Sequence, residues 1–208
     1  MFIGVYNLAN FVTLLGLASA IVACFSATSG HLLLAVCMFL LSGLCDMFDG
    51  RIARGAGSRT RKEKLFGIQI DTVCDMVSFG IAPVVIAYAC GFNHWYDMAV
   101  YIVYASCAAI RLAYFNTQAI EETPDLNMKA FTGVPVPFSC MVLPPLMIAK
   151  ALIDSAMAVN IIFAAVYLAV GIAFILNVKI KKLNIPQSVA LIAFELFCVV
   201  TMFIAYKK

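Results

Sequence analysis

The sequence predicts an all-α fold, a polytopic transmembrane helical bundle of about seven helices, with a range of six to eight. Hydrophobic residues make up 64% of the 208 residues and charged residues only 12%. A soluble domain is closer to half apolar and a quarter charged. The apolar residues also form runs near the roughly 20 residues that a helix needs to cross the hydrocarbon core. We therefore expect residues 1–208 to form one integral membrane domain.

Seven apolar segments can be drawn between positions rich in Gly, Pro, Asn and charged residues. They cover residues 8–28, 31–53, 67–91, 96–115, 134–153, 156–177 and 187–206. The fifth contains four prolines, which are tolerated inside a membrane bundle. Residues 1–10 hold no Lys or Arg, so the basic start of a signal peptide is missing. We interpret residues 1–27 as a retained first helix.

The basic residues predict the orientation of the bundle. Eleven of the fourteen fall in the loops after the second, fourth and sixth segments. They are Arg51, Arg54, Arg59, Arg61, Lys62, Lys64, Arg111, Lys129, Lys179, Lys181 and Lys182. The positive-inside rule places these loops in the cytoplasm. We expect a prokaryotic cell membrane protein whose functional site faces the cytoplasm.

Four aspartates mark that site. The chain has only 11 Asp and Glu, yet Asp46, Asp49, Asp71 and Asp75 lie close together in sequence, at the cytoplasmic ends of two segments. A charged carboxylate at such a position costs free energy unless it contacts a cation or water. In helices, Asp46 and Asp49 are neighbours at i, i+3, and Asp71 and Asp75 at i, i+4. Two helices joined by the basic loop could therefore present four carboxylates to one another.

Such a cluster suits divalent cations and phosphate chemistry. Hard cations with oxygen ligands, Mg²⁺ or Mn²⁺, would neutralise the mutual repulsion, and two of them can bind a pyrophosphate. Gly50 and Gly67 would let a polar headgroup approach the backbone, and Arg54 could pair with phosphate oxygens. The alternative is a set of interfacial carboxylates that are paired with neighbouring Arg and Lys residues.

These residues form a motif, D-x2-D-G-x2-A-R, a spacer, then G-x3-D-x3-D, from Asp46 to Asp75. It resembles the signature of the CDP-alcohol phosphotransferases at every fixed position. One departure exists: twelve residues separate Arg54 from Gly67, where the family usually has eight or nine. The extra residues lengthen the basic loop between the two helices.

The flanking sequence resembles the branch of that family whose acceptor is serine. The matches are D-M-V-S-F-G-I-A-P at 75–83, R-L-A-Y-F-N at 111–116, F-T-G-V-P-V-P at 131–137 and N-F-V-T-L-L at 10–15. In the second match, Tyr114 replaces an Arg. Beyond residue 137, only hydropathy supports the assignment.

The resemblance implies a reaction in which the hydroxyl of L-serine attacks the β-phosphorus of CDP-diacylglycerol, or an ether-lipid analogue, to give phosphatidylserine and CMP. It implies two divalent cations on the four aspartates, with Asp75 also as the general base. It assigns Gly50, Arg54 and Gly67 to the CDP moiety, with Asn10 and Thr13 in the same pocket. It also implies a homodimer among membrane lipids. We expect no nucleic-acid partner.

Serine recognition requires a cation for the carboxylate. Arg111 is the basic residue on the membrane side of its loop, so it is the candidate, with an anchor to phospholipid headgroups as the alternative. Ser78 and Asn116 could line the pocket or serve helix packing.

Two other functions stay open from the sequence. One keeps the chemistry and changes the acceptor to glycerol phosphate, inositol phosphate or another alcohol. The other is a cation transporter that uses intramembrane acids as ligands.

Overall fold

The structure is a computed structural model that describes residues 3–57, 59–121, 131–153, 155–180 and 185–205. Its helices are α1 (Leu8–Thr28), α2 (Leu32–Gly55), α3 (Arg61–Asp75), α4 (Ala82–Ala89), α5 (Trp95–Glu121), α6 (Ser139–Leu152), α7 (Ala156–Ile175) and α8 (Ile185–Ala205). A π-helix (Met76–Ile81) joins α3 to α4, and a 3₁₀ turn (Val136–Phe138) precedes α6. The predicted helical bundle is confirmed. Three of the basic residues used for orientation, Lys129, Lys181 and Lys182, lie outside the described residues.

Five helices are long and apolar enough to cross a membrane: α1, α2, the continuous helix Arg61–Ala89, α5 and α7. Two shorter apolar helices, Val136–Leu152 and Ala190–Ala205, complete seven segments among the described residues. A pair of two-residue antiparallel strands, β1 (Phe131–Thr132) and β2 (Lys179–Ile180), joins the start of α6 to the end of α7. The sequence did not predict this pair.

The third segment begins at Arg61, six residues before the predicted start at 67. Thr60 caps the helix, because its hydroxyl accepts a hydrogen bond from the Glu63 N–H while the Glu63 carboxylate accepts one from the Thr60 N–H. This reciprocal capping box pairs two otherwise unsatisfied donors and extends the helix into the basic loop. The second and fourth segments also run past their predicted ends, to Gly55 and Glu121.

Helices α1 and α2 pack through small residues, as membrane helices commonly do. A Cβ placed on Gly16 of α1 would lie 3.0 Å from the Cβ of Cys45 and 3.4 Å from the carbonyl oxygen of Ser42. Ala20 and Ala23 of α1 are fully buried farther along. This close approach holds the first turns of α1 against the last turns of α2, where two of the aspartates lie.

Gly133, directly after β1, packs against the end of α7. Its φ is +79°, and a Cβ there would lie only 2.7 Å from the Phe174 carbonyl oxygen. Its N–H donates to the Val178 carbonyl oxygen at 2.8 Å. The position therefore requires glycine for both its conformation and its space.

We expect Gly133→Ala to lower the free energy of unfolding by at least about 2 kcal/mol, since the left-handed conformation alone costs a Cβ-bearing residue about 1–2 kcal/mol. Thermal unfolding of the detergent-solubilised protein measures the change. Gly57→Ala is the control, because a Cβ at Gly57 meets nothing within 4 Å. Equal stability of the two variants would contradict the expected clash.

Candidate active site

Three of the four aspartates converge between α2 and α3. One carboxylate oxygen each from Asp46, Asp49 and Asp71 lies within 4.8 Å of the others. Asp75, one turn beyond Asp71, is buried and lines the same small cavity as Asp46 and Asp49. The two helical rows that the sequence predicted thus face each other.

The surroundings of the aspartates argue against ion pairing within the protein. None of the four lies within 4.0 Å of a basic group among the described residues, where the one ion pair joins His94 to Asp97. Asp71 Oδ1 is buried and has no hydrogen-bond partner in that part of the chain. Four carboxylates with an unpartnered oxygen form a donor set that fits hard divalent cations, which take oxygen ligands.

Helix α1 supplies a hydroxyl to this cluster. Thr13 Oγ1 lies 2.5 Å from Asp49 Oδ2 and 3.1 Å from the Ala9 carbonyl oxygen, so its single proton can be donated to the carboxylate. The resemblance assigns Thr13 to the CDP pocket, and in the structure its hydroxyl bonds an aspartate of the cluster. A hydrogen bond to a ligating carboxylate is the usual support for a metal ligand.

Asn10 and Gly67 face each other across α1 and α3. A Cβ on Gly67 would lie 3.7 Å from Asn10 Oδ1, and Asn10 Nδ2 donates to the Val5 carbonyl oxygen at 2.8 Å. On α2, a Cβ on Gly50 would lie 3.3 Å from Arg54 Nη1, so the exposed Arg54 side chain folds back over Gly50. Both glycines are half-buried, Gly67 beside an acceptor and Gly50 beside a cation.

A small cavity of about 10 Å³ lies among α1, α2 and the π-helix. Its polar lining consists of Thr13, Ser42, Asp46, Asp49, Asp75 and Ser78. The structure therefore places Ser78 beside the aspartates. Ser42 was missed by the sequence analysis, although its position four residues before Asp46 puts both on one face of α2.

The other candidates for serine binding lie on α5. Asn116 Oδ1 accepts a hydrogen bond from Thr72 Oγ1 at 2.8 Å, which joins α5 to α3 next to Asp71. The sequence analysis did not predict a role for Thr72. Its position directly after the motif residue Asp71 could have suggested one. Asn116 therefore has a structural partner in addition to its expected role.

Arg111 is buried, with only 5% of its surface exposed. Its Nε has no hydrogen-bond partner among the described residues, and a Cβ on Gly133 would lie 3.3 Å from that atom. The guanidinium carbon lies 5.4 Å from the centre of the Phe115 ring. A lipid anchor would extend toward the membrane surface, whereas this side chain is enclosed.

Comparison with known proteins identifies the family. A model of the CDP-alcohol phosphatidyltransferase family matches residues 6–206, so the chain belongs to this family of integral membrane enzymes. Membership favours the phosphotransferase interpretation of the aspartates over a cation transporter.

Relatives in this family carry a common name, CDP-diacylglycerol–serine O-phosphatidyltransferase. The protein from Saccharomyces cerevisiae is 33% identical over 141 residues, which cover 63% of this chain and 50% of that protein. The protein from Methanocaldococcus jannaschii is 28% identical over 180 residues, covering 86% of this chain and 75% of that protein. The protein from Helicobacter pylori is 32% identical over 134 residues, covering 64% and 53% respectively. The matches thus span about half the length of the yeast and Helicobacter proteins.

Proposed function

We propose that this chain transfers the phosphatidyl group of CDP-diacylglycerol, or of an ether-lipid analogue, to the hydroxyl of L-serine, releasing CMP. The observation that carries the proposal is the convergence of Asp46, Asp49 and Asp71 within 4.8 Å, at the positions of the family motif. The names of the relatives support serine as the acceptor. The whole chain acts as one membrane domain, with the aspartates on the cytoplasmic side.

Asp46, Asp49, Asp71 and Asp75 would hold two divalent cations, Mg²⁺ or Mn²⁺. When bound, these would neutralise the pyrophosphate charge and stabilise the leaving phosphate. Thr13 orients Asp49 by its hydrogen bond. Gly50 and Gly67 leave room for the CDP moiety to approach the helix backbones, and Arg54 pairs with its phosphate oxygens. Asn10 contributes an amide beside Gly67.

Asp75 is the general base. It takes the proton of the serine hydroxyl as the serine oxygen forms its bond to the β-phosphorus and the phosphorus–oxygen bond to CMP breaks. Its burial beside Ser78 and the other aspartates keeps bulk water away from the reacting oxygen. A carboxylate held among cations stays ionised and is available to accept a proton.

Arg111 binds the serine carboxylate. A buried guanidinium that lacks a protein counter-ion among the described residues requires an anion, and its planar fork matches a carboxylate. Asn116 lies five residues farther along α5, about 7.5 Å along the helix axis, and Ser78 faces the aspartates. Serine bound between these groups places its hydroxyl toward Asp75.

Arg111→Ala is expected to raise the KM for serine roughly ten- to a hundred-fold, the effect of losing a charge-assisted hydrogen bond. The KM for the CDP-lipid stays near the wild-type value, because the CDP groups lie on other helices. Steady-state CMP release at varied serine concentrations measures both constants. Arg61→Ala, which removes an exposed charge from the start of α3, is the control. An unchanged KM for serine in R111A would remove Arg111 from the pocket.

The proposed function is tested with the purified protein, CDP-diacylglycerol, Mn²⁺ or Mg²⁺, and a panel of alcohols. CMP release that depends on serine supports the proposal. Release with glycerol phosphate or inositol phosphate instead would keep the chemistry and change the acceptor. An absence of release with every acceptor would count against the enzyme.

A further inference from the structure

The π-helix that begins directly after Asp75 is an unusual element beside the candidate site. Such turns often occur at functional sites, because they insert one residue and rotate the downstream residues by about 100° relative to a continuous α-helix. Here Asp75, Ser78 and Phe79 all line the aspartate cavity. The Phe79 ring also packs against Phe39 of α2, with ring centres 6.3 Å apart.

Pro83 ends this π-helix and removes a backbone donor. The last π-type bond runs from the Ala82 N–H to the Val77 carbonyl oxygen. The next residue is Pro83. A residue with an N–H at this position would donate it to the Phe79 carbonyl oxygen in an α-helix, or to the Ser78 carbonyl oxygen in a π-helix. Proline has no N–H to donate.

Tyr104 of α5 supplies a donor at this point. Its side chain is 1% exposed, and its hydroxyl donates to the Phe79 carbonyl oxygen at 2.8 Å. Tyr167 of α7 makes a similar bond, from its hydroxyl to the Pro83 carbonyl oxygen at 2.7 Å. The two rings pack together with their centres 5.2 Å apart. Two buried hydroxyls therefore bond to the carbonyl groups of Phe79 and Pro83, one helical turn apart in the segment after Asp75.

Two glycines allow this arrangement. A Cβ on Gly171 of α7 would lie 3.1 Å from the Tyr104 Cα, so α7 packs directly against α5 at this level. A Cβ on Gly80 would lie 2.9 Å from the Met76 sulfur and 3.6 Å from the Ala108 Cβ, one turn along α5 from Tyr104. The backbone of the π-helix thus approaches the face of α5 that carries Tyr104.

We propose that Tyr104 is a positioning residue for the active site, which fixes the register of the π-helix through the Phe79 carbonyl and so aims Asp75 at the other aspartates. Tyr167 assists through Pro83. The proposal rests on the proposed function for its catalytic consequence, but its effect on the aspartate cluster is independent of which acceptor is used. Loss of the Tyr104 hydroxyl would remove the bond that holds the Phe79 carbonyl, one helical turn after Asp75.

The test compares Tyr104→Phe with Tyr101→Phe. Tyr101 is also buried on α5, and its hydroxyl donates to the Phe92 carbonyl oxygen at 2.9 Å, outside the π-helix. Each variant loses one buried hydroxyl–carbonyl bond, so thermal unfolding should shift similarly in both. Only Y104F is expected to weaken equilibrium Mn²⁺ binding about ten-fold, the lower end of the effect of outer-shell partners, and to lower kcat for CMP release by a similar factor.

Mn²⁺ binding to the detergent-solubilised protein, measured by the electron paramagnetic resonance signal of the free ion, gives a readout that does not need turnover. If wild-type protein binds Mn²⁺ but releases no CMP with serine, the proposed function fails while this comparison still decides the role of Tyr104. Weaker Mn²⁺ binding in Y104F than in Y101F supports the proposal. Equal Mn²⁺ affinity in the two variants overturns it. If Y104F does not fold, Tyr167→Phe takes its place in the comparison with Y101F. We expect Y167F to bind Mn²⁺ several-fold more weakly than Y101F.

Discussion

Replacing Asp75 by Asn is expected to reduce CMP release roughly a thousand-fold, within the range of about 10²- to 10⁴-fold that general bases contribute. The substitution keeps the shape of the side chain and removes its capacity to accept the serine proton. Asp75 is buried and lines the same small cavity as Asp46 and Asp49. Binding of the CDP-lipid should be largely preserved, since Asp46, Asp49 and Asp71 remain to hold cations and the other proposed contacts, Gly50, Arg54 and Gly67, are unchanged.

The measurement combines single-turnover CMP release with equilibrium binding of CDP-diacylglycerol to the D75N protein. Asp97→Asn is the control, because Asp97 is also buried but accepts hydrogen bonds from the His94 N–H and from Asn160 Nδ2 between α5 and α7. D97N should lose stability and retain kcat in the folded fraction. Turnover of D75N near the wild-type rate would show that Asp75 is not the base.

Replacing Asp71 by Asn is expected to weaken Mn²⁺ binding at least about a hundred-fold, beyond the 10- to 100-fold effect of outer-shell partners. Asp71 contributes to the three-carboxylate cluster, and its Oδ1 is buried without a hydrogen-bond partner in the described chain. Chelation of divalent cations from the wild-type protein should likewise abolish CMP release, and added Mg²⁺ or Mn²⁺ should restore it.

Mn²⁺ affinity of D71N is measured by titration calorimetry in detergent, beside Glu63→Gln. Glu63 lies on the same helix, but its carboxylate caps the helix start by accepting from the Thr60 N–H, so its loss should leave Mn²⁺ affinity unchanged. Similar affinities for D71N and E63Q would contradict a metal role for Asp71. CMP release that persists after chelation would contradict metal assistance altogether.

The opposed aspartate rows could be predicted because they depend on local geometry. Spacings of three and four residues place side chains on one face of any helix, and Asp46 and Asp71 belong to helices joined by a short loop. The early start of α3 could also have been predicted, because Thr60 and Glu63 form the T-x-x-E pattern of a capping box. The predicted start at residue 67 was wrong because it was based on hydropathy alone.

The π-helix and the burial of Arg111 depend on contacts that periodicity does not encode. Pro83 is visible in the sequence, but the donor that compensates for it, Tyr104, lies on another helix. Arg111 was expected at the membrane side of its loop, yet it is buried, with Gly133 and the Phe115 ring close to its guanidinium. These features arise from tertiary packing, which no local pattern specifies.

The central claim, transfer of the phosphatidyl group to the serine hydroxyl, is tested most directly by isotope transfer. Purified protein is incubated with CDP-diacylglycerol, Mn²⁺ and serine labelled with ¹⁸O in its hydroxyl group, and the products are analysed by mass spectrometry. We predict phosphatidylserine that retains the label and CMP that carries none, because the serine oxygen forms the new bond to phosphorus. Unlabelled lipid product, or CMP release that proceeds equally without serine, would contradict the proposed reaction.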